Sequence, residues 1–264
     1  MAWIETGDAR LYYEVHGGAD EAAAAPWVVL LHGVGGNHAS WFYQVAAWRE
    51  RFRVVVVDAR GFGRSTDPGN IGRDAFVDDL ERLFDAAHID RAVLIGQSMG
   101  GGTAVSYTCR HPDRVNALVL ADTLFGVELP DGVRDEMDAV GRYTATLSQQ
   151  ERVLGSTFRR QQPGLSMLYT ALASFNGVNV RTLTGVQTLH SPREIAAVGV
   201  PVLFVVGEED ALFPSHAVRA VQRELPGSGF VELPGVGHSA YFEAPDAFNA
   251  VVVDWLAGAL SPAA

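Results

Sequence analysis

Three residues of this chain have the side chains and the surroundings that nucleophilic catalysis needs: Ser98, Asp210 and His238. Ser98 stands in a Gly-x-Ser-x-Gly pattern over residues 96–100, and the other two stand in short polar or glycine-rich stretches. A serine hydroxyl is a weak nucleophile until a base removes its proton. A histidine can be that base, and a carboxylate can fix its tautomer. Together these residues predict acyl transfer through a covalent serine intermediate.

Acyl transfer also needs N–H donors for the oxygen that becomes negative in the transition state. The glycine-rich run His-Gly-Val-Gly-Gly at residues 32–36 follows an apolar stretch, and glycines let backbone N–H groups approach a substrate. We therefore predict that the N–H groups of Val34 and Met99 bind the oxyanion. Asp122 also follows an apolar run and is an alternative to Asp210 as the acid.

The elements that would position these residues are strands followed directly by polar turns. Residues 93–96 are typical of a buried strand, and residues 103–111 of a helix, so Ser98 would lie at a sharp strand-to-helix turn. Such a turn strains the backbone of its corner residue, and Gly96 and Gly100 leave the space it requires. This context is the nucleophile-elbow pattern.

The rest of the chain alternates apolar runs with amphipathic stretches. An N-terminal hairpin is predicted over residues 2–15, and further strands over residues 27–31, 54–58, 117–120, 201–206 and 230–233. Helices are predicted over residues 41–50, 73–87, 215–225 and 242–260. Continuously apolar strands that alternate with helices indicate an α/β fold with a parallel sheet covered on both faces.

Residues 124–191 interrupt this alternation, because they contain no convincing strand. We predict a core domain formed by residues 1–123 and 192–264, with residues 124–191 inserted as a helical cap over the active site. Aromatic residues in the cap and near the predicted site could form the wall of the substrate pocket or simply pack. They are Trp41, Phe42, Phe125, Tyr169, Phe175 and Tyr241.

Composition excludes several function classes. The 264 residues carry a formal net charge of −11, which argues against a nucleic-acid or anionic membrane partner. All 20 basic residues are arginines, so Schiff-base chemistry and a P-loop lysine are excluded. No zinc-ligand spacing is present and no cofactor is expected. No signal peptide or apolar run of membrane-spanning length is visible, so a cytoplasmic location is the default expectation.

The motifs together resemble the α/β-hydrolase fold over nearly the whole chain. They are His-Gly-x-Gly at 32–35, Asp-x-Arg-Gly-x-Gly-x-Ser at 58–65, the elbow at 96–100, Gly-x-x-Asp at 207–210 and Gly-His at 237–238. The order Ser, Asp, His is also that family's order. The resemblance implies a mostly parallel eight-stranded sheet with helices on both faces and the cap above the site. Ser98 at the elbow departs from the haloalkane dehalogenases and epoxide hydrolases, which carry an aspartate there.

Among the serine branches the chain resembles carboxylesterases and enol-lactone hydrolases, which implies a small ester or lactone as substrate. Carbon–carbon hydrolases of aromatic degradation are an alternative, supported by the ending at residues 242–249 and weakened by Gln97 and Ser239, where that group usually has Asn and Trp. Cofactor-free haloperoxidases or perhydrolases are a further alternative. A non-catalytic ligand receptor with a retained triad is the alternative from a different class.

Overall fold

Residues 1–18 and 25–261 are described in a computed structural model, and within them eight strands form one mixed sheet. The strands are β1 (Ala2–Glu5), β2 (Arg10–His16), β3 (Trp27–Leu31), β4 (Arg53–Val57), β5 (Ala92–Gln97), β6 (Val115–Ala121), β7 (Val202–Gly207) and β8 (Gly229–Leu233). Their order in the sheet is β1-β2-β4-β3-β5-β6-β7-β8. The β1–β2 and β2–β4 pairs are antiparallel and the other pairs are parallel. The predicted mostly parallel eight-stranded sheet is confirmed.

Helices cover both faces of this sheet. They are α1 (Phe42–Trp48), α2 (Phe76–Ala86), α3 (Met99–Arg110), α4 (Asp131–Thr144), α5 (Gln149–Val153), α6 (Ser156–Gln161), α7 (Pro163–Ala173), α8 (Pro192–Ala197), α9 (Ser215–Arg223), α10 (Ala240–Glu243) and α11 (Pro245–Ala259). Helices α2, α3, α8 and α9 pack on one face, and α1, α10 and α11 on the other. None of the helices within the described ranges combines the length and the apolar character needed to cross a lipid bilayer.

Strand β3 shows how the sequence separates these two layers. Side chains alternate between the faces of a strand, so Val29 and Leu31 belong to the core beneath α2 and α3. Val28 and Leu30 point the other way and pack with the residues of α1 and α11. Because both faces are buried, the strand is apolar at every position, as is typical of parallel sheets.

The C-terminal helical region differs from the prediction of a single helix over residues 242–260. Helix α10 ends at Glu243, and Ala244 leaves the helical conformation with φ −133° and ψ 62° before Pro245 begins α11. A proline disfavours the helical conformation of the residue before it and suits the first turn of a new helix. The single-helix prediction was wrong at this break.

Helix α3 also begins earlier than the predicted start at residue 103. Its first residue is Met99, directly after Ser98, so the glycines at positions 100–102 lie inside the helix. Glycine has a low helix propensity, so the sequence at positions 100–102 does not indicate a helix. Tertiary packing overrides the propensity, because a Cβ at Gly100 would lie 2.2 Å from the Leu31 carbonyl oxygen.

Residues 124–191 contain helices α4 to α7, and their two ends come together where Val127 forms an isolated parallel bridge with His190. Both ends therefore leave and re-enter the sheet region at the same place, beyond the carboxyl end of β6. The division of the chain into a core and a cap at residues 124 and 191 stays a prediction. We keep the term cap for residues 124–191 below.

Candidate active site

Ser98 lies at the corner between β5 and α3, and its backbone is strained. Its φ of 50° and ψ of −121° are unusual for a residue with a side chain. Gly96 cannot carry a side chain here, because its Cβ would lie 2.6 Å from the Gly100 carbonyl oxygen. The Thr123 hydroxyl donates to the Ser98 carbonyl oxygen at 2.8 Å and fixes the far side of the turn. The surrounding structure thus holds the strained conformation in place.

His238 and Asp210 form a buried hydrogen-bonded pair. His238 Nδ1 lies 3.0 Å from Asp210 Oδ2 and 3.1 Å from Oδ1, and the two side chains are 3% and 0% exposed. Asp210 Oδ1 also accepts hydrogen bonds from the Leu212 and Phe213 N–H groups at 2.8 and 3.0 Å. The carboxylate accepts at Nδ1, so this nitrogen carries the proton and Nε2 is left to act as a base.

Gln97 connects the elbow to the histidine loop. Its side-chain amide donates to the His238 carbonyl oxygen at 2.8 Å, and its side chain is buried. Gln97 is the residue before Ser98, so this bond ties the His238 loop to the turn that carries Ser98. No hydrogen bond joins the Ser98 hydroxyl to His238 within residues 1–18 and 25–261; such contacts are often long before a substrate binds.

The glycine-rich loop at residues 32–36 packs directly against Ser98. A Cβ at Gly33 would lie 2.8 Å from Ser98 Cβ, so only glycine fits. His32 holds the loop, because its Nδ1 donates to the Gly33 carbonyl oxygen at 2.8 Å and its Nε2 accepts from the Ala59 N–H at 3.0 Å. Burial lowers the pKa of His32 below its usual value, which keeps the ring neutral. His32 therefore orients the loop and does not serve as a base.

The two predicted oxyanion donors flank this contact between the loop and the elbow. Val34 follows Gly33, and Met99 is the first residue of α3, where N–H groups have no partner within the helix. The side chains of Val34 and Met99 belong to one apolar cluster with Phe62, Phe76 and Leu183. The cluster keeps the loop and the helix start together, and the binding of an oxyanion by the Val34 and Met99 N–H groups stays a prediction.

Asp122, the alternative acid, has other partners. It is fully buried, its Oδ1 accepts from the Gly207 N–H at 3.0 Å and its Oδ2 from the Ala240 N–H at 2.9 Å. Burial, reinforced by the charge of Asp210, raises the pKa of Asp122 well above its ordinary value. The structure brings Asp210, and not Asp122, into hydrogen-bond contact with His238. Asp122 instead ties the end of β7 to the start of α10.

Three of the predicted pocket residues are buried together beside the glycine-rich loop. The rings of Trp41 and Tyr241 lie 4.2 Å apart, and the ring of Tyr169 lies 5.1 Å from that of Phe242. The Tyr169 hydroxyl reaches the loop, since a Cβ at Gly35 would lie 2.8 Å from it. Tyr169 is thus one contact between α7 of the cap and the glycine-rich loop at residues 32–36.

The other three predicted pocket residues are exposed to different degrees. Phe125 is 37% exposed and packs edge-on against Phe213, whose ring in turn stacks on His238 at 5.7 Å. Phe42 is 38% exposed and contacts the Tyr43 ring. Phe175 is 71% exposed, so it does not line a closed pocket in this structure. The role of Phe175 as a substrate-binding residue stays a prediction.

Comparison with known proteins agrees with this architecture. A profile of the alpha/beta hydrolase fold matches residues 26–245. The chain belongs to the α/β-hydrolase family. A protein of Caulobacter sp. (strain K31) that carries the name carbamate hydrolase RutD is 29% identical to this α/β hydrolase, over 94% of this chain and 96% of that protein. A protein of Bacillus subtilis (strain 168) named as a 2-succinyl-6-hydroxy-2,4-cyclohexadiene-1-carboxylate synthase is 30% identical over 90% and 93%.

Solved structures of esterase and lactonase type are similar to this α/β hydrolase over their full length. A thermophilic esterase from Thermogutta terrifontis superimposes with a TM-score of 0.80 and 26% identity, covering 98% of this chain and 97% of that one. The enol-lactonase from Burkholderia xenovorans LB400 gives a TM-score of 0.77 and 26% identity, covering 97% and 100%. The similarity places the chain among hydrolases of esterase- and lactonase-like type.

One partly buried residue of this α/β hydrolase was missed by sequence reasoning. The Glu243 carboxylate accepts hydrogen bonds from three backbone N–H groups: Gly155 and Gly237 at 2.9 Å and Ser239 at 3.1 Å. Burial raises the pKa of Glu243 to about 7, although these three N–H groups lower it. In the sequence Glu243 is only an acidic residue five positions after His238, and nothing there signals its burial.

Proposed function

We propose that this protein is a serine hydrolase that cleaves small carboxylic esters or lactones through an acyl-enzyme. The observation that carries the proposal is the buried His238–Asp210 pair, tethered beside Ser98 by the Gln97 side chain. A strained serine at a strand-to-helix corner, next to a histidine with a fixed tautomer, is the arrangement of an activated nucleophile.

In the proposed reaction, Ser98 Oγ attacks the substrate carbonyl carbon while His238 Nε2 takes the hydroxyl proton. Asp210 stabilises the imidazolium that forms. The N–H groups of Val34 and Met99 bind the oxyanion of the tetrahedral intermediate. His238 then protonates the leaving alkoxide, and in the second half it activates the water that releases the acid and regenerates Ser98.

The charges around the site support an uncharged substrate. Asp122, Asp210 and Glu243 are close enough for each carboxylate charge to affect the pKa of a neighbour. The raised pKa values of Asp122 and Glu243 show that further negative charge is unfavourable here, so a neutral ester or lactone suits the site better than an anionic substrate. Ser98 and His238 are nearly completely buried, so the proposed reaction takes place away from bulk solvent.

A carbamate is the second candidate substrate. The observation that favours it is the 29% identity to the protein named as a carbamate hydrolase, over 94% of this chain. Attack on a carbamate carbonyl uses the same nucleophile, base and oxyanion donors. Comparing kcat/KM for an ester and a carbamate that share the p-nitrophenol leaving group, and for a small lactone, ranks the candidates.

The test of the proposed function is Ser98→Ala. We expect kcat to fall by about 10³-fold or more, because the serine, histidine and aspartate act as one unit. The matched control is Ser106→Ala, since the Ser106 hydroxyl lies in α3 and makes only a 3.4 Å hydrogen bond to the Thr188 carbonyl oxygen. p-Nitrophenyl acetate serves as substrate, and circular dichroism checks folding.

The wild-type enzyme and the control should release a burst of p-nitrophenol equal to the enzyme concentration when deacylation is slow, and Ser98→Ala should not. A Ser98→Ala variant that kept more than about a tenth of the wild-type rate would overturn the assignment of the nucleophile. A wild-type protein that binds esters without turnover would instead be a receptor.

A further inference from the structure

A short stretch of the cap, residues 153–157, is bonded to the loop that carries His238. The Ser239 hydroxyl, directly after His238, donates to the Val153 carbonyl oxygen at 2.8 Å. Glu243 Oε2 accepts from the N–H groups of both Gly155 in the cap and Gly237 directly before His238, each at 2.9 Å. One carboxylate oxygen therefore joins the cap to the residue that precedes the proposed base.

The same cap stretch is bonded to the loop that carries Asp210. Glu209 Oε2, one residue before Asp210, accepts from the Thr157 N–H at 2.9 Å and from the Ser156 hydroxyl at 3.0 Å. The Thr157 hydroxyl adds a third bond to the Glu209 carboxylate. Residues 153–157 thus contact the chain neighbours of both the base and the acid.

Where the cap meets the His238 loop, the backbones of Gly155 and Gly237 touch with no side chain between them. A Cβ at Gly237 would lie 2.0 Å from the Gly155 nitrogen, and a Cβ at Gly155 would lie 2.8 Å from the Gly237 nitrogen. Both positions require glycine because of this approach. The two N–H groups can reach one oxygen of Glu243 only because the backbones are this close.

Burying a carboxylate costs free energy, and an apolar side chain would fill the space without that cost. Glu243 is held by three N–H bonds and, within the described residues, makes no hydrogen bond to the proposed nucleophile, so chemistry at Ser98 does not explain it. What the three bonds do is fix the backbone on both sides of His238, at Gly237 and at Ser239. They also tie that backbone to Gly155.

We propose that Glu243 is a positioning residue that couples the orientation of His238 to the packing of cap residues 153–157 against the His238 loop. This inference rests on the proposed function, in which His238 is the base. When residues 153–157 pack against the His238 loop, Glu243 holds the backbone on both sides of His238 and the ring keeps its bond to Asp210. When they are displaced, one of the three bonds is lost and the His238 loop gains freedom.

The experiment compares Glu243→Gln and Glu243→Ala with Glu208→Gln as the matched control. Glu208 accepts one hydrogen bond, at 2.8 Å, from the N–H group of Gly235, which lies three residues before His238. Glu208→Gln therefore makes the same chemical change close to the His238 loop. Proton NMR in water records the His238 Nδ1 proton shared with Asp210, assigned by its loss in Asp210→Asn. We expect Glu243→Gln to shift or broaden this line, Glu243→Ala to abolish it, and the control to leave it unchanged.

Kinetics with p-nitrophenyl acetate give the second readout. We expect kcat to fall roughly tenfold to a hundredfold in Glu243→Gln with little change in KM, because a small misplacement of a catalytic group lowers the rate. Wild-type kcat and an unchanged NMR line in folded Glu243→Gln would overturn the inference. The NMR line needs no substrate, so this failure differs from that of the proposed function, which an active Ser98→Ala would reveal.

Hydrogen exchange on the wild-type protein tests the coupling without any variant. The amides of Gly155, Gly237 and Ser239 share one acceptor residue and should open together, with the same free energy of opening. Exchange of Gly155 that is independent of Gly237 and Ser239 would overturn the coupling, whether or not the Glu243 variants fold.

Discussion

Two buried carboxyl groups, of Asp122 and Asp210, and the partly buried carboxyl group of Glu243 lie near the His238 loop, and their hydrogen-bond partners distinguish them. Asp210 accepts from the imidazole, Asp122 from the N–H groups of two chain segments, and Glu243 from three N–H groups. Burial raises the pKa of Asp122 well above the ordinary value and that of Glu243 to about 7. Carboxylates of the same chemical type are thus distinguished by their environment.

At the residue scale we expect Asp210→Asn and Asp122→Asn to separate catalysis from stability. Asp210→Asn should lower kcat by about 10⁴-fold, because an amide favours the wrong histidine tautomer. Asp122→Asn should keep most of the activity and lower the free energy of unfolding by about 1–3 kcal/mol, since an amide offers one acceptor where two N–H groups need one each. Steady-state kinetics and urea unfolding measure the two effects. The reverse ranking of kcat would make Asp122 the acid.

At the scale of single elements, glycines have opposite roles in two helices. Gly100 in α3 lets the helix touch β3, whereas a Cβ at Gly132 or Gly141 in α4 would meet no atom beyond the helix's own backbone within 4 Å. Helix α3 needs its glycines because it starts at the strained Ser98 and packs against the sheet. Helix α4 is on the cap, and its glycines only weaken it.

We therefore expect Gly132→Ala and Gly141→Ala each to raise the free energy of unfolding by about 0.5–1 kcal/mol. Gly100→Ala should lower it by about 1–3 kcal/mol, since its Cβ would lie 2.2 Å from the Leu31 oxygen. Urea unfolding of the three variants measures the difference. Destabilisation by the two α4 substitutions would show that these positions are more crowded than the structure indicates.

At the scale of the whole molecule, two of the contacts between the cap and the core have different consequences. Residues 153–157 are bonded to the loops of His238 and Asp210, and Tyr169 reaches the glycine-rich loop at Gly35. The first contact bears on the placement of the base, and the second on the space above Ser98. We expect the cap to select the substrate through buried residues such as Tyr169, and not through its exposed aromatic residues.

Tyr169→Leu and Phe175→Leu test this expectation with the same replacement residue. Tyr169 is 2% exposed and Phe175 is 71% exposed. Tyr169→Leu should change the ratio of kcat/KM for hexanoate and acetate esters by about tenfold or more, because one apolar contact is worth roughly 1–3 kcal/mol. Phe175→Leu should leave the ratio unchanged. The opposite outcome would place the exposed face of the cap against the substrate. Phosphonate labelling of Ser98 checks that both variants keep the nucleophile.

The sequence alone determined the fold and the order of the chemical residues. β-Branched apolar runs such as residues 54–57 favour strands that are buried on both faces. Gly96 and Gly100 on either side of Ser98 indicate a tight strand-to-helix turn. These signals are local, because they depend on side-chain periodicity and on backbone freedom within a few residues. The same locality limited the prediction at Ala244, where one proline divides a helical stretch.

Only the tertiary structure decided which groups meet. Asp122 and Asp210 both follow apolar strands, and the path of the chain alone brings Asp210 to the His238 ring. Glu243 and Gly155 are joined across 88 residues of sequence, and Phe175 points outward although its type suits a pocket. Hydrogen-bond partners and burial are set by distances between segments that are far apart in the chain, and no pattern within one segment encodes those distances.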